Sequence, residues 1–374
     1  MVFLGILIIC FYLILNLYVA YNAFIFLNTL NVSIGFVPIV IVIVLLALSY
    51  VFSRLPVPLD RLKRFCKIIG SYYFAVFEFL LIALPLGNIV YYILKYTGSN
   101  TATVIISIGT ITLSLLIVFL IYGTYLAWST VVRKYHIKIP KKVNGKKEMK
   151  IAMASDLHLG DIVGTKHLQK LVSKINEMNA DIVLFPGDVI DDVVEPFLDK
   201  NMSAILNEIK SVNGEYAVLG NHEYYGGHIP RYVEEMKKIN IPVLQDEVVS
   251  LPNGVYIVGR KDKTASKMKG DSRKEWKELV EPIPKDAPII AMDHQPYAFL
   301  EAEKAGVDLL LCGHTHRGQF SPNHFITKKV FELDWGYLKK ESLQIIVSSG
   351  FGTWGPPVRL GSQSEIIEIN IAFE

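Results

Sequence analysis

The sequence contains little cysteine, and the cysteines it has are far apart. Cys10, Cys66 and Cys312 are the three among 374 residues, and no two of them form a Cys-x-x-Cys pair. A disulfide framework and a thiolate zinc site both need several cysteines at regular spacing, so neither is expected. The pattern is compatible with a reducing compartment.

Charged residues are nearly missing from the first 130 residues, where Leu, Ile, Val, Phe and Tyr dominate. Four apolar stretches lie there, at about 2–27, 34–52, 69–94 and 104–128, and each is long enough to span a bilayer as a helix of about 20 residues. The first stretch has no basic flank and is longer than the apolar part of a typical signal peptide, which favours a retained span. We therefore predict a four-span transmembrane domain over residues 1–130.

The few charges of this half are placed asymmetrically. Five basic residues lie between the second and third stretches, and seven more follow the fourth within 131–149, whereas the connection between the third and fourth has only Lys95. Positive loops stay in the cytoplasm, so both termini and the rest of the chain are predicted on the cytoplasmic side of the cell membrane. We interpret 131–149 as a basic juxtamembrane linker, in part a solvated tether and in part a contact with anionic lipid head groups.

One carboxylate, Glu78, lies near the middle of the third stretch. An intramembrane carboxylate is costly to bury and often marks a functional site. No basic residue is available in the other stretches, so we expect a protonated side chain that bonds to Asn or Tyr on a neighbouring span. The alternative is a receptor role for the four-span bundle.

Acidic residues outnumber basic ones in the rest of the chain. Up to Lys150 there are 14 Lys+Arg against 3 Asp+Glu, whereas the remainder carries 24 against 32. Because proteins bind phosphate backbones with clustered Lys and Arg, this acidic half argues against a nucleic-acid partner. No protein partner is predicted either.

From residue 150 onward, short apolar runs alternate with helical patterns, and a polar cluster follows five of the runs. This alternation is typical of an α/β domain, which we place at 150–374. Ligands bind beyond the carboxyl ends of the strands in such sheets, so the five clusters are expected to converge. Later apolar runs at 255–258, 343–348 and 366–371 lack a following helix and suggest a second, mostly antiparallel sheet.

Seven side chains in these clusters are typical metal ligands: Asp156, His158, Asp188, Asn221, His294, His314 and His316. Carboxylate, amide oxygen and imidazole together suit Mn²⁺, Fe or Zn²⁺. The first two are two residues apart, so an extended backbone points both to one side, and the last pair has the same spacing. A glycine precedes three of the seven, where a metal must approach the backbone closely.

In this order the clusters resemble the motifs of the calcineurin-like metallophosphoesterase superfamily. The matching segments are Asp156-Leu-His158, Gly187-Asp188, Gly220-Asn221-His222-Glu223, His294 and Gly313-His314-Thr-His316. The resemblance covers nearly all of 151–374 and none of the membrane half. It implies a four-layer αββα sandwich that hydrolyses a phosphoester or pyrophosphate bond with a hydroxide bridging two metal ions.

The resemblance also implies how the ligands divide between two divalent ions, with Mn²⁺ favoured and Fe or Zn²⁺ as alternatives. One ion would be held by Asp156, His158, Asp188 and His316. The second would be held by Asn221, His294 and His314 together with Asp188, which bridges the pair.

His222 is implied to stabilise the transition state or to protonate the leaving oxygen, a task for which an imidazole is suited near neutral pH. Asp191, Asp192 and Asp293 are candidates to orient it. Such acids are more often turn or cap residues, so we leave them out of the predicted site.

The run Gly350-Phe-Gly-Thr-Trp-Gly-Pro-Pro-Val-Arg359 is similar to the end of bacterial membrane-associated members of the superfamily. A membrane location suggests a phosphorylated small molecule or a lipid as substrate, and similar proteins point to UDP-2,3-diacylglucosamine. Arg317 or Arg359 is either a phosphate ligand or a solvated charge. A non-catalytic scaffold and a receptor-regulated module on the same fold are alternatives. The scaffold is disfavoured because no ligand position is apolar.

Overall fold

The structure is a computed structural model that describes residues 2–55 and 57–374, with side chains from residue 5 onward. Its contacts divide the chain into two compact units. One contains the residues up to Thr124 together with Gly355–Val358, and the other contains Tyr125–Trp354 and Arg359–Glu374.

Four long apolar helices make up most of the first unit: α1 (Val2–Thr29), α2 (Phe36–Ser53), α3 (Asp60–Tyr96) and α4 (Thr101–Trp128). Each is long and apolar enough to cross a membrane, in agreement with the four predicted stretches. Helix α3 begins at Asp60, before its apolar stretch, because 60–68 contains no Pro or Gly that would end a helix. Basic residues expected in a loop, such as Arg61 and Lys63, therefore lie on its first turns. Glu78 is half-buried on α3, and its role stays a prediction.

The second unit contains two six-stranded sheets. Sheet 1 is built from β1 (Val131–Ile139), β2 (Glu148–Met153), β3 (Ile182–Pro186), β4 (Glu215–Val218), β5 (Val243–Leu244) and β12 (Glu365–Phe373), in the order β1-β12-β2-β3-β4-β5. Sheet 2 is built from β6 (Glu247–Ser250), β7 (Tyr256–Gly259), β8 (Ile289–Met292), β9 (Leu309–Cys312), β10 (Gly336–Lys340) and β11 (Leu343–Val347), in the order β10-β11-β9-β8-β7-β6.

The connections carry eight helices and two short 3₁₀ turns. The helices are α5 (Thr165–Met178), α6 (Glu195–Asp199), α7 (Met202–Leu206), α8 (Asn221–Gly226), α9 (Ile229–Lys238), α10 (Trp276–Val280), α11 (Phe299–Ala305) and α12 (His324–Val330). The 3₁₀ turns are Lys263–Lys267 and His316–Gly318.

Alternating side chains on the strands explain the layers. Ile151 of β2 lies in a buried core with Ile290 and Leu311 of sheet 2, so the two sheets face each other. Ala152, one residue on, points the other way into a core with Leu168 of α5. The outer face of sheet 2 is covered in the same manner by α10 and α11. The predicted αββα sandwich is confirmed.

The strands of sheet 2 and their directions differ from the prediction made from the sequence. Strands β7, β8, β9 and β11 pair in parallel, and only the outer pairs β6–β7 and β10–β11 are antiparallel. The run at 366–371 lies in β12 of sheet 1, where it pairs antiparallel with β2. The prediction of a mostly antiparallel second sheet containing that run was wrong. The helix between β8 and β9 supplies a parallel crossover, and the long segment 348–364 carries the chain across to sheet 1.

The segment 131–149 also differs from the predicted linker. Val131–Ile139 forms β1, which pairs in parallel with β12 at the edge of sheet 1. Ile137 and Ile139 are buried, whereas Lys134 and Lys138 are exposed. Lys134 and Lys138 therefore lie on the exposed face of an edge strand, where lysines also discourage pairing with other chains.

Candidate metal centre

The seven predicted ligands lie on the five loops that follow β2, β3, β4, β8 and β9. Backbone hydrogen bonds join these loops. The amides of Asp156 and His158 donate to the carbonyls of Gly187 and Asp188, at 3.1 and 3.0 Å. In sheet 2, the amide of Gly313 donates to the carbonyl of His294 at 2.9 Å. The loops at the carboxyl ends of strands from both sheets thus bring the predicted ligands close together.

Five of the seven candidates have a left-handed backbone. The φ angles are 53° at Asp156, 46° at His158, 52° at Asp188, 74° at His314 and 47° at His316. Residues other than glycine seldom adopt this conformation, and it costs on the order of 1 kcal/mol each. Such strain collects at functional sites, and here it coincides with the positions that the motifs single out.

One group of donors is formed by Asp156, His158 and His316, whose ligand atoms lie within 4.8 Å of one another. The two Nε2 atoms of His158 and His316 are 2.9 Å apart, and His316 Nε2 is 3.4 Å from Asp156 Oδ1. Two imidazole lone pairs repel at this distance unless a proton or a cation lies between them. The two nitrogens therefore either share a proton in a hydrogen bond or are close enough to bind the same cation.

A second group is formed by Asp188, Asn221, His294 and His314. Asn221 Oδ1 lies 2.7 Å from His314 Nδ1 and 3.1 Å from His294 Nε2. His294 Nδ1 is 2.9 Å from the carbonyl of Pro186, so it donates there and leaves Nε2 facing the site.

Asp188 lies between the two groups. Its Oδ2 is 3.1 Å from His294 Nε2 and 3.9 Å from His158 Nε2. The amide of His222 donates to its other oxygen at 2.9 Å. This is the position that a carboxylate shared by two cations would occupy.

The donor set suits divalent cations. Burial lowers the pKa of His158 and of His314 to about 4, so both present a neutral imidazole, which is the form that binds a metal. Asp156 Oδ2 is buried and has no hydrogen-bond partner, so it is available as a ligand. The assignment of individual ligands stays a prediction.

His222 pairs with Asp192, one of the three acids considered as orienting groups and then left out of the predicted site. Its Nδ1 lies 2.6 Å from Asp192 Oδ1, and its ring centroid is 4.6 Å from that of His158. Burial alone would lower the pKa of His222, but Asp188 and Asp192 outweigh it and raise the pKa to about 9. Of the three acids considered as orienting groups, Asp192 is the one within hydrogen-bond distance of His222, whereas Asp293 pairs with arginines.

Glu223 holds the backbone of two of the loops that carry predicted ligands. Its buried carboxylate accepts hydrogen bonds from the amides of Gly220, Asp188 and Ile190, at 2.7, 3.2 and 3.0 Å. Burial and the neighbouring Asp188 raise the pKa of Glu223 to about 8. A glutamate three residues after the N-cap of a helix is a capping signal, and this signal could have identified Glu223 as a residue that holds the loop backbone.

The three glycines that precede ligands leave space for ligand side chains. A Cβ on Gly187 would lie 2.6 Å from His294 Nδ1, and one on Gly220 would lie 2.1 Å from Asp188 Oδ1. One on Gly313 would lie 2.2 Å from Asp156 Oδ2. Side chains at these positions would displace the donors themselves.

Arg359 is neither a solvated charge nor open to a substrate. It is completely buried, and its guanidinium donates to the carbonyls of Ser349, Gly350 and Gly352. The amide of Gly352 in turn donates to the carbonyl of Asp156 at 2.8 Å. Arg359 therefore holds the loop that lies against the first donor group.

Arg317 remains partly exposed, with its guanidinium 4.1 Å from the ring centroid of Trp335. This cation–π contact orients the side chain. Its role toward a phosphate stays a prediction.

Comparison with known proteins gives a consistent result. Residues 149–318 match the sequence model described as calcineurin-like phosphoesterase. An uncharacterized metallophosphoesterase of Helicobacter pylori is 34% identical over 230 residues, which are 60% of this chain and 60% of that protein. A second, from Campylobacter jejuni, is 34% identical over 265 residues, or 70% of this chain and 69% of that protein.

A third relative also has a membrane part. The protein described as a transmembrane protein with metallophosphoesterase domain from Danio rerio is 29% identical over 242 residues, which are 62% of this chain and 54% of that protein. The matches therefore span 54 to 69% of the length of these relatives. Together with four apolar helices, this likeness indicates a membrane protein.

Proposed function

The chain belongs to the calcineurin-like phosphoesterase family, and we propose that it is a membrane-bound, dinuclear hydrolase of a phosphoester or phosphoric anhydride bond. The observation that carries the proposal is that seven oxygen- and nitrogen-bearing side chains from five loops lie together in two groups, with the carboxylate of Asp188 between them. Two separate donor groups on either side of one carboxylate support a pair of cations rather than one.

In the proposed site, Asp156, His158 and His316 would hold one divalent ion and Asn221, His294 and His314 would hold the other, with Asp188 as a ligand common to both. Such ions, when bound, lower the pKa of water toward neutrality and polarise phosphoryl oxygens. Mn²⁺ is the proposed metal, since imidazole and carboxylate ligands together suit it, and Fe or Zn²⁺ would suit the same set.

The chain's own residues supply the remaining chemistry. His222, whose Nδ1 pairs with Asp192, lies where it can donate a proton or a hydrogen bond to the leaving oxygen. Glu223 keeps the backbone of Asp188 and Gly220 in place, so that the shared carboxylate does not rotate away. The buried Arg359 keeps the 349–352 loop against Asp156.

The substrate and the side of the membrane belong to the same proposal. Four predicted spans in the same chain support an amphiphilic substrate, and a lipid-linked pyrophosphate such as UDP-2,3-diacylglucosamine stays a prediction. Basic residues beside the ends of α2, α3 and α4 support a cytoplasmic catalytic unit in the cell membrane. Protease digestion of sealed vesicles of known orientation tests this placement, since a cytoplasmic unit is cleaved only in inside-out vesicles.

The activity is tested with the full chain in detergent, loaded with Mn²⁺, against simple phosphomonoesters, phosphodiesters and pyrophosphates. We expect Asp188→Asn to abolish hydrolysis of whichever ester the wild type accepts. Asp286→Asn is the matched control, because Asp286 lies on an exposed turn and should leave the rate unchanged. Equal rates for Asp188→Asn and the wild type would contradict the proposal.

A further inference from the structure

Two large aromatic side chains beside His222 are exposed. Tyr225 is 63% exposed and Trp354 is 57% exposed. Their ring centroids lie 5.9 and 6.4 Å from the imidazole of His222, inclined to it by 68° and 67°. Neither ring is used in the site as described, although both touch the group proposed to act on the leaving oxygen.

The backbone of Trp354 is held in place from both sides of the residue. The amide nitrogen of the Gln319 side chain donates to the carbonyl of Trp354 at 3.0 Å, and the amide oxygen of the same side chain accepts from the Trp354 amide at 2.9 Å. Gln319 itself is only 5% exposed, and its own carbonyl accepts from the amide of Leu360 and the hydroxyl of Ser362. A buried amide that fixes the backbone of an exposed tryptophan is the support expected of a binding residue.

Tyr225 is tied to His222 through the short helix α8. The two residues are three apart and therefore lie on the same face of that helix. Asn221, the first residue of α8, is a predicted ligand. The position of the Tyr225 ring is thus set by the same turn that sets Asn221 and His222.

We propose that Trp354 and Tyr225 bind a planar aromatic ring carried by the leaving group of the substrate, as in an aryl ester or a nucleotide. The proposal rests on the proposed function, because it takes the leaving oxygen to lie at His222. A group attached to that oxygen lies next to both rings, and aromatic faces bind planar rings by stacking. Trp354 and Tyr225 would then determine specificity without taking part in bond breaking.

The test compares two esters whose leaving groups have similar acidity but different shape. Phenyl esters carry a planar ring, whereas hexafluoroisopropyl esters do not. The full chain with Mn²⁺ is assayed on both, as monoester or diester according to what the wild type accepts. The variants are Trp354→Ala, Trp354→Phe and Tyr225→Ala, and Tyr337→Ala is the control on the edge strand β10, where Tyr337 is 41% exposed.

We expect Trp354→Ala and Tyr225→Ala each to lower kcat/KM for the phenyl ester about five- to tenfold, mainly through a higher KM. The hexafluoroisopropyl ester should change by less than about twofold, since it has no ring to stack. Trp354→Phe should keep most of the preference for the phenyl ester, and Tyr337→Ala should keep all of it.

Equal losses on both esters, or none on either, would overturn the inference and leave the proposed function standing. A loss for Trp354→Ala that occurs only with enzyme in lipid vesicles, and equally on both esters, would assign the residue to membrane contact and also overturn it. Absence of hydrolysis by the wild type would instead overturn the proposed function, and the inference with it. If Trp354→Ala does not fold, Trp354→Phe and Tyr225→Ala still give the comparison.

Discussion

Replacing Gly220 by alanine places a methyl group inside the candidate metal centre. The added carbon would lie 2.1 Å from Oδ1 and 2.5 Å from the amide nitrogen of Asp188. An ordinary van der Waals contact needs about 3.5 Å, so the carboxylate must move by more than about 1 Å, and the Asp188 amide, which Glu223 holds, must move by about 1 Å as well. A carboxylate proposed to bridge two cations cannot move that far and keep both.

The magnitude follows from this displacement. We expect metal affinity to fall about 10- to 100-fold, and kcat/KM to fall at least about 100-fold, because misplacement by about 1 Å has a cost of this order. Overpacking should lower the free energy of unfolding by about 1–3 kcal/mol, which leaves the chain folded. Activity is therefore expected to fall far more than stability.

Three measurements are made on the same preparation: metal content of the dialysed protein by mass spectrometry, phosphoester hydrolysis with Mn²⁺, and thermal unfolding. Gly164→Ala is the matched control, since Gly164 has ordinary backbone angles and no atom within 4 Å of an added Cβ. Full metal content and a kcat/KM within about threefold of wild type in Gly220→Ala would refute the reasoning, because a carboxylate displaced by about 1 Å should not support catalysis at that rate.

Three further predictions concern neighbouring groups. Asp192→Asn should lower kcat about tenfold, and His222→Ala should lower it about 100-fold. The double variant should have a kcat close to that of His222→Ala, because Asp192 acts through His222. Losses that multiply in the double variant would contradict the pairing. The pKa of His167 is lowered to about 4, by burial above all, so stability is lost as pH falls from about 6.5 to about 4. His167→Gln in denaturant titrations should reduce that loss by about 3 kcal/mol, and an unchanged dependence of stability on pH would exclude His167 as its source. Arg359→Met should lower the free energy of unfolding by about 3 kcal/mol by leaving buried carbonyls unpaired, and a wild-type melting temperature would argue against this role.

The sequence was most informative where chemistry and spacing coincide. Asp156, Asp188, Asn221 and His314 were predicted from motifs at strand ends, and parallel pairing then brings strand ends together. Asp192 was set aside because an acid in a turn has many local uses. Only the fold shows that its carboxylate reaches His222 across 30 positions.

Other features depended on contacts distant in sequence. The lysines of β1 suggested a tether. The alternation of Ile137 and Ile139 is also typical of a strand, but the strand that pairs with β1 is β12, more than 200 positions away in the sequence. Arg359 was interpreted as an anion ligand or a surface charge, because nothing local indicates that three backbone carbonyls surround it. Pairing partners and burial are properties of the whole fold, and composition does not reveal them.

Anomalous diffraction from crystals of the full chain grown with Mn²⁺ shows whether two cations share Asp188. We expect two peaks about 3.5–4 Å apart, with Asp188 between them, Asp156, His158 and His316 around one, and Asn221, His294 and His314 around the other. A single peak, or metal bound away from Asp188, would contradict the proposal.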